Sequence, residues 1–369
     1  MIIFVHLLND ASGSPRVLKS VIEIAQKYDL LGKLYVGSGG TASPSDGVLS
    51  QTHIEHCRYP YRFKSFIVSR LLYFVTSQII LFAKLCLDKD ARHANIIWVN
   101  TLLPIGAMCF ARLFKRYLVV HVHERELKPK LFHKVIVWIT RNTASEVIFV
   151  SKEQQQFFES IRFKRSSVIH NTYDSALAQW VKAVPAPPLE DTFNLLMLAS
   201  LKSFKGIPAF LELADRLAAR PQFKLTLLIN EDKAIGDAFR EAESRPNLTI
   251  ICRPPSTAPY YQAAHLVLNL SYPDEFIETF GLTLIEAMVF GVPVIAPPIG
   301  GPLEIVSHGQ DGFLISARDL PRIESTILEL ADKPERYAEF RAAALKKATL
   351  FSPLTFEQKI IEKLTHEAY

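Results

Sequence analysis

The chain has 369 residues, 49% hydrophobic and 21% charged, with 42 Lys and Arg against 37 Asp and Glu. That length exceeds what one hydrophobic core usually holds, so two domains are expected, and the composition excludes a disordered or collagen-like chain. The net charge of +5 is uneven: residues 1–150 hold 19 basic and 10 acidic side chains, the remainder 23 and 27. A basic first half suits a polyanion or an anionic membrane, set against plain drift of surface charge.

The first predicted element is a buried strand over Ile2–Leu7, which lacks the basic leader and cleavage site of a signal peptide. The loop Asn9–Arg16 and a helix to about Lys27 follow. Further strands are expected at Lys33–Val36, Asn95–Val99, Tyr117–His121 and Val147–Val150, with helices between them. This alternation indicates a parallel α/β sheet. Between the second and third strands, Arg58–Lys84 mixes basic and aromatic residues ahead of an apolar run. Its core, Leu71–Ala83, is too short to cross about 30 Å of hydrocarbon. The segment reads either as a core helix with a basic edge or as a helix lying on a membrane surface.

The pattern breaks over 171–191, where Val184-Pro185-Ala186-Pro187-Pro188 fits neither a helix interior nor a central strand. A linker is expected there. A second α/β series follows, with strands at Asn194–Ala199, Lys224–Ile229, Leu248–Cys252, Leu266–Leu270, Val294–Ala296 and Phe313–Ile315, and helices such as Pro208–Ala219 and Leu282–Phe290. The expected division is 1–175, 190–350 and a C-terminal helix in 351–369 that packs back on the first domain. Two such units would present ligand sites at the carboxyl ends of their strands, facing a common cleft.

Several motifs carry little. The cysteines Cys57, Cys86, Cys109 and Cys252 show no paired spacing, sit in apolar surroundings and read as reduced core residues of a cytosolic protein. Gly37-Ser-Gly39-Gly40-Thr-Ala42 fits a dinucleotide fingerprint in form, but Ser43-Pro44-Ser45-Asp46-Gly47 follows where a helix is needed. Asp88-Lys89-Asp90 precedes a strand instead of ending one, and His53, His56 and Cys57 lack a fourth ligand and read as a loop.

The informative stretch is Ser271–Gly301, SYPDEFIETFGLTLIEAMVFGVPVIAPPIGG. Glu278 and Glu286 lie eight apart, with Phe280-Gly281-Leu282-Thr283 opening a helix between them. A glycine turn at a helix start leaves free N–H groups and the positive end of the dipole, which suits a phosphate. A second element, Leu198-Ala199-Ser200-Leu201-Lys202-Ser203-Phe204-Lys205-Gly206, follows the first strand of the second series. Lys202 and Lys205 can act there as point charges that neutralise a leaving diphosphate without a metal.

These residues resemble glycosyltransferase family 4 and its GT-B relatives. The likeness rests on Glu278, Phe280-Gly281-Leu282, Glu286-Ala287-Met288, Gly291-x-Pro293-Val294-Ile295-Ala296, Gly300-Gly301 and the later Lys205-Gly206. It implies a GT-B fold of two Rossmann-like α/β domains and a retaining, metal-independent glycosyltransferase that needs no cofactor beyond its nucleotide sugar, UDP- or GDP-linked. By the same resemblance Glu278 contacts the donor sugar, Glu286 grips the ribose, and Phe280, Gly281, Leu282 and Thr283 hold the diphosphate with Lys205. Ser200 stands where many relatives carry arginine, and Lys202 is the candidate substitute. In the first domain, Gly13 matches the loop over the donor phosphates only in part. His123, followed by Glu124, resembles the family's histidine near the donor sugar. Phe149-Val150-Ser151 and Ile169-His170-Asn171-Thr172 match further landmarks, the last departing from the usual Asn-Gly. The implied acceptor is a polysaccharide or lipid-linked glycan of a bacterial surface, met at the inner face of the cell membrane; nucleic acid is not expected as a partner. A nucleotide-sugar epimerase and a non-catalytic sugar-nucleotide-binding subunit are the alternatives.

Overall fold

The computed structural model describes residues 1–10, 12–38, 47–61, 66–183, 192–231 and 233–365. The chain divides into two compact units, Met1–Asn171 with Leu354–Tyr369, and Thr172–Pro353. The proline-rich stretch expected as a linker lies outside the described residues, as does most of Gly37–Ala42.

The first unit runs β1 (Ile2–His6), α1 (Gly13–Lys27), β2 (Gly32–Gly37), β3 (Glu55–Tyr59), α2 (Ile67–Leu87), α3 (Lys89–His93), β4 (Ile96–Asn100), α4 (Ile105–Leu113), β5 (Tyr117–Val122), α5 (Lys130–Thr143), β6 (Glu146–Phe149), α6 (Lys152–Phe157) and β7 (Ser166–Val168). Its seven strands are parallel in the order β3-β2-β1-β4-β5-β6-β7. Every residue of β1 and β4 is buried, because helices cover both faces of such a sheet and its central strands become continuous apolar runs. In α1 the buried Val17, Leu18, Val21, Ile22 and Ala25 recur at helical spacing and seat one face on the sheet.

The second unit contains α7 (Ser175–Ala183), β8 (Phe193–Ala199), α8 (Ile207–Leu217), β9 (Phe223–Ile229), α9 (Lys233–Ala242), β10 (Leu248–Cys252), α10 (Ala258–Ala263), β11 (Leu266–Leu268), α11 (Leu282–Val289), β12 (Val294–Ala296), α12 (Pro302–Ile305), β13 (Gly312–Leu314), α13 (Leu320–Asp332) and α14 (Pro334–Ala348). Its six parallel strands lie in the order β10-β9-β8-β11-β12-β13. The last helix, α15 (Pro353–Leu364), groups with the first unit. There Lys363 Nζ lies 2.8 Å from Glu146, and Glu357 accepts from Lys27 Nζ and Tyr28 Oη at 2.6 and 2.9 Å.

In both sheets the chain winds outward to one side and then crosses to the other. The reversal leaves a switch point between β1 and β4 in the first unit and between β8 and β11 in the second. Crevices at the carboxyl ends of strands at such points are where open α/β sheets bind ligands.

Four sequence expectations are corrected. None of the four cysteines is a core residue: Cys109 is exposed, and Cys57, Cys86 and Cys252 are only partly buried. The stretch around His56 and Cys57, read as a loop, is the edge strand β3, whose His56 Nε2 meets Thr52 Oγ1 at 3.0 Å. Its polar composition hid it, since an edge strand needs little apolar surface. Strand β7, Ser-Ser-Val, was hidden the same way. The apolar helix extends beyond Leu71–Ala83 to Ile67–Leu87, 21 residues, and is long and apolar enough by length and composition to cross a membrane. It is nevertheless a layer of the first unit: Phe74, Ser77, Gln78, Leu81 and Leu85 are buried, and Gln78 Oε1 accepts from the Gly106 amide at 3.1 Å.

Candidate active site

The second unit builds its site from the two loops that leave β8 and β11. After β8 the chain makes one 3-10 turn, Ser203–Lys205, then reaches Gly206 at φ 74°, and α8 begins. A Cβ at Gly206 would lie 1.8 Å from the Leu270 carbonyl oxygen, so only glycine lets the two loops approach this closely. The Tyr272 amide donates to the Phe204 carbonyl at 2.9 Å, and the Phe204 and Phe276 rings stack at 4.6 Å. On this platform Lys205 Nζ sits 4.5 Å from the Phe276 ring centroid and donates to Glu278 Oε2 at 2.9 Å. The ammonium is therefore held by an aromatic face and a carboxylate, both partly open to solvent.

Beyond Glu278, Phe280 is buried and Gly281 turns at φ 112° to cap α11. The Gly301 amide donates to the Glu278 carbonyl at 2.8 Å. Side chains at the glycine pair would collide with this segment: a Cβ at Gly300 would come 2.4 Å from that carbonyl oxygen, and one at Gly301 2.4 Å from Phe280 Cα. The glycines thus hold the glutamate and the helix start in register. First-turn amides have no intrahelical acceptor, so Leu282 and Thr283, both partly exposed, open an N–H pair at the positive end of α11. One turn on, Glu286 is buried, and Tyr261 of α10 donates to its Oε2 at 2.7 Å. Lys202 is exposed, its ammonium 5.9 Å from the Phe204 ring.

In the first unit the polar groups gather at the ends of β1, β4 and β5. His123 follows β5, and its Nε2–H donates to Asn100 Oδ1 at 2.9 Å. Asn100 ends β4; its side-chain amide donates to the Ser14 carbonyl at 3.1 Å, and its own carbonyl accepts from His6 Nδ1 at 3.0 Å. Gly13 opens α1 beside Ser14, while Ala11 of the same loop lies outside the described residues. The His121 and His123 rings stand 4.4 Å apart. Burial, with His121 and His6 nearby, pushes the His123 pKa well below the usual imidazole range. Burial alone holds His121 down to about 3, and neither of its ring nitrogens has a hydrogen-bond partner. His6 is lowered too, chiefly by burial. Glu124, whose pKa burial raises, accepts from the amides of Leu102 and His123 at 3.1 and 3.3 Å, pinning the β5 exit to the β4 exit.

The structure therefore brings Lys205, Glu278 and Phe280–Thr283 together, with Glu286 tucked one turn behind. It links His123 through Asn100 to the Ser14 carbonyl, next to Gly13. Sequence reasoning missed His6, Asn100 and Tyr261. Asn100 had a readable signal: it is the polar residue closing an apolar strand beside a switch point.

Two doubly wound parallel units with this arrangement of glycines, lysine and glutamates define the GT-B fold. Residues 182–347, a little under half of the chain, match the family model for glycosyl transferases group 1, and the stretch Ser271–Gly301 lies wholly inside the match. The D-inositol 3-phosphate glycosyltransferase 1 of Catenulispora acidiphila is 39% identical over 184 residues, 44% of this chain and 41% of that protein. The chain thus aligns with well under half the length of that relative. A crystal structure of Anabaena HepE in complex with UDP superposes with a TM-score of 0.77 at 23% identity, covering 99% of both chains. A sucrose-phosphate synthase from Thermosynechococcus elongatus gives 0.73 at 18% identity, covering 98% of both. At these identities the likeness establishes the fold.

Proposed function

We propose that the protein is a retaining glycosyltransferase that moves a sugar from a nucleoside diphosphate donor to a glycan or lipid-linked acceptor. The observation that carries this reading is the Lys205–Glu278 pair set beside the open amides of α11. An arriving diphosphate competes with Glu278 for Lys205. Once the lysine turns to phosphate, the carboxylate is released to accept hydroxyls of the donor sugar. Fixed positive charge at the leaving group stabilises the transition state without solvent reorganisation. The bond from the anomeric carbon to the diphosphate oxygen breaks, and the acceptor hydroxyl bonds to that carbon from the same face. The hydroxyl proton passes to the departing phosphate oxygen. Lysine and amides supply the neutralising charge that a metal would otherwise bring.

Glu286 is assigned to the ribose, with Tyr261 orienting its carboxylate. The first unit's contribution, by the family resemblance, is His123, held by Asn100. The UDP in the HepE structure makes a uridine nucleotide the first donor to test. The bacterial surface glycan, and a cytoplasmic enzyme peripheral to the inner membrane face, belong to the same proposal and rest on the resemblance.

The test is thermal stabilisation by UDP, GDP and ADP, followed by transfer assays with the preferred nucleotide's sugars. A ligand that binds only the folded state raises the melting temperature. We expect one diphosphate to stabilise the parent, the Lys205→Ala variant to lose that effect, and Glu278→Gln to keep it while losing transfer. Stabilisation with sugar inversion and no acceptor requirement would point to an epimerase. Stabilisation without turnover on any acceptor would point to a binding subunit. No stabilisation by any nucleotide overturns the reading.

A further inference from the structure

We infer that helices α2, α4 and α5 of the first unit form a face that docks on an anionic lipid bilayer. The three pack side by side on one surface of the sheet: Gly106 of α4 meets Gln78 of α2, Phe74 of α2 meets Phe132 of α5 edge-on at 5.2 Å, and Thr140 of α5 reaches Met108 of α4 at 3.6 Å. Their inner faces are core, as expected. Their outer faces are also apolar, which is not.

On α2 the exposed Val68, Leu71, Leu72, Val75 and Ile79 recur at helical spacing, with Val68 at 78% and Leu72 at 63%. On α5 Leu131, Val135 and Trp138 do the same, Leu131 at 74% and Trp138 at 65%. A soluble surface helix turns such a stripe inward. Contiguous exposed apolar residues on neighbouring helices mark an interaction surface.

Charge selects the partner. The sequences of α2, α4 and α5 contain no Asp or Glu, but they contain Arg70, Lys84, Arg112, Lys130, Lys134 and Arg141. A second copy seated symmetrically on this face would set those cations against themselves. An anionic headgroup layer complements them while its acyl boundary takes the aliphatic side chains, and Trp138 suits the interface between the two. The helix α2 lies on the bilayer instead of crossing it, because its buried half, with Ser77 and Gln78, is part of the sheet's cover. The inference carries the peripheral placement proposed above to one surface, and it extends past Arg58–Lys84 to α4 and α5.

The assay is co-sedimentation of the full chain, without nucleotide, with vesicles of phosphatidylcholine or of phosphatidylcholine with about one third phosphatidylglycerol. Binding is expected to the anionic vesicles alone, to fall with salt, and to shift Trp emission to the blue. Removing one basic residue (Lys134→Ala) should weaken binding about fivefold. The pair Leu72→Glu and Trp138→Glu should abolish it while leaving stabilisation by the preferred nucleotide unchanged, which separates this result from the transferase reading. Salt-resistant association would overturn the inference in favour of a spanning α2. Absence of vesicle binding, with a dimer that the two glutamates dissociate, would overturn it in favour of a second copy. Equal binding by parent and double variant would overturn it outright.

Discussion

The two units place their polar residues by the same topological rule and equip them oppositely. At its switch point the first holds imidazoles that burial keeps neutral, linked through Asn100. The second holds an ion pair on an aromatic platform beside a helix start. Winding order decides where polar side chains can converge, and the solvation left at that point decides whether they carry charge. A partly open lysine can trade one anion for another. A desolvated histidine keeps a fixed hydrogen-bonding direction and resists protonation.

The largest effect that would break this picture is backbone. Gly206→Ala forces a Cβ into the Leu270 carbonyl and keeps a left-handed φ, so the β8 and β11 loops must separate. We expect the second unit to lose at least about 3 kcal/mol in urea unfolding. Gly309→Ala is the control: its φ of 77° is left-handed too, but a Cβ there meets nothing within 4 Å, so the cost is strain alone, about 1 kcal/mol. Equal losses in the two variants would refute the close approach that positions Lys205.

Next in size is the contrast between two lysines three residues apart in the same loop. Lys205→Ala removes the cation fixed over Phe276 and should lower transfer about a hundredfold. Lys202→Ala removes an exposed charge and should change it by no more than about threefold. A reversal of that order would make Lys202 the substitute for the arginine that Ser200 replaces.

Much of this was legible in the residues. The alternating apolar runs predicted eleven of the strands, because buried parallel strands are nearly uninterrupted hydrophobic segments. The motif around Glu278 and Gly281 was legible because a left-handed turn and close backbone contact demand glycine at fixed offsets. Edge strands β3 and β7 were not, since one-sided pairing demands little of composition. The partners of the site residues were also hidden. Tyr261 lies 25 residues from Glu286, and Asn100 lies 94 from His6. Such pairs depend on strand order, which no local pattern states. The outward stripe of α5 escaped, and that of α2 stayed one of two readings, for a related reason: an apolar helix reads the same whichever side faces water.

A pH titration sharpens the contrast between neutral and charged sites. His6, His121 and His123 have folded pKa values below the unfolded value of about 6.5, so between those limits the unfolded chain binds more protons. Stability is then fully present above pH of about 6.5 and falls as the medium is acidified, by up to about 1.4 kcal/mol per pH unit for each histidine that charges on unfolding. Unfolding monitored from pH 7 to 4 should show this loss in the first unit. His121→Phe, which retains the ring's bulk, should flatten the slope; an unchanged slope would mean that His121 is not held neutral by the fold.

The smallest effect separates two ion pairs that both fasten α15 to the first unit. Lys27 and Glu357 meet at the surface, the lysine side chain 61% exposed. Lys363, only 19% exposed, faces Glu146, which is buried and also accepts from Ser167 Oγ at 2.9 Å. Water replaces the lost partner in Lys27→Ala, so its melting temperature should match the parent. Lys363→Ala removes the cation that faces a buried carboxylate, which should cost about 2 kcal/mol. Lys363→Met keeps the apolar stem without the charge and should cost as much as the alanine variant if the charge is what matters. If methionine restores the parent's stability, α15 is held by packing, and the solvation rule that separates the two units does not extend to this helix.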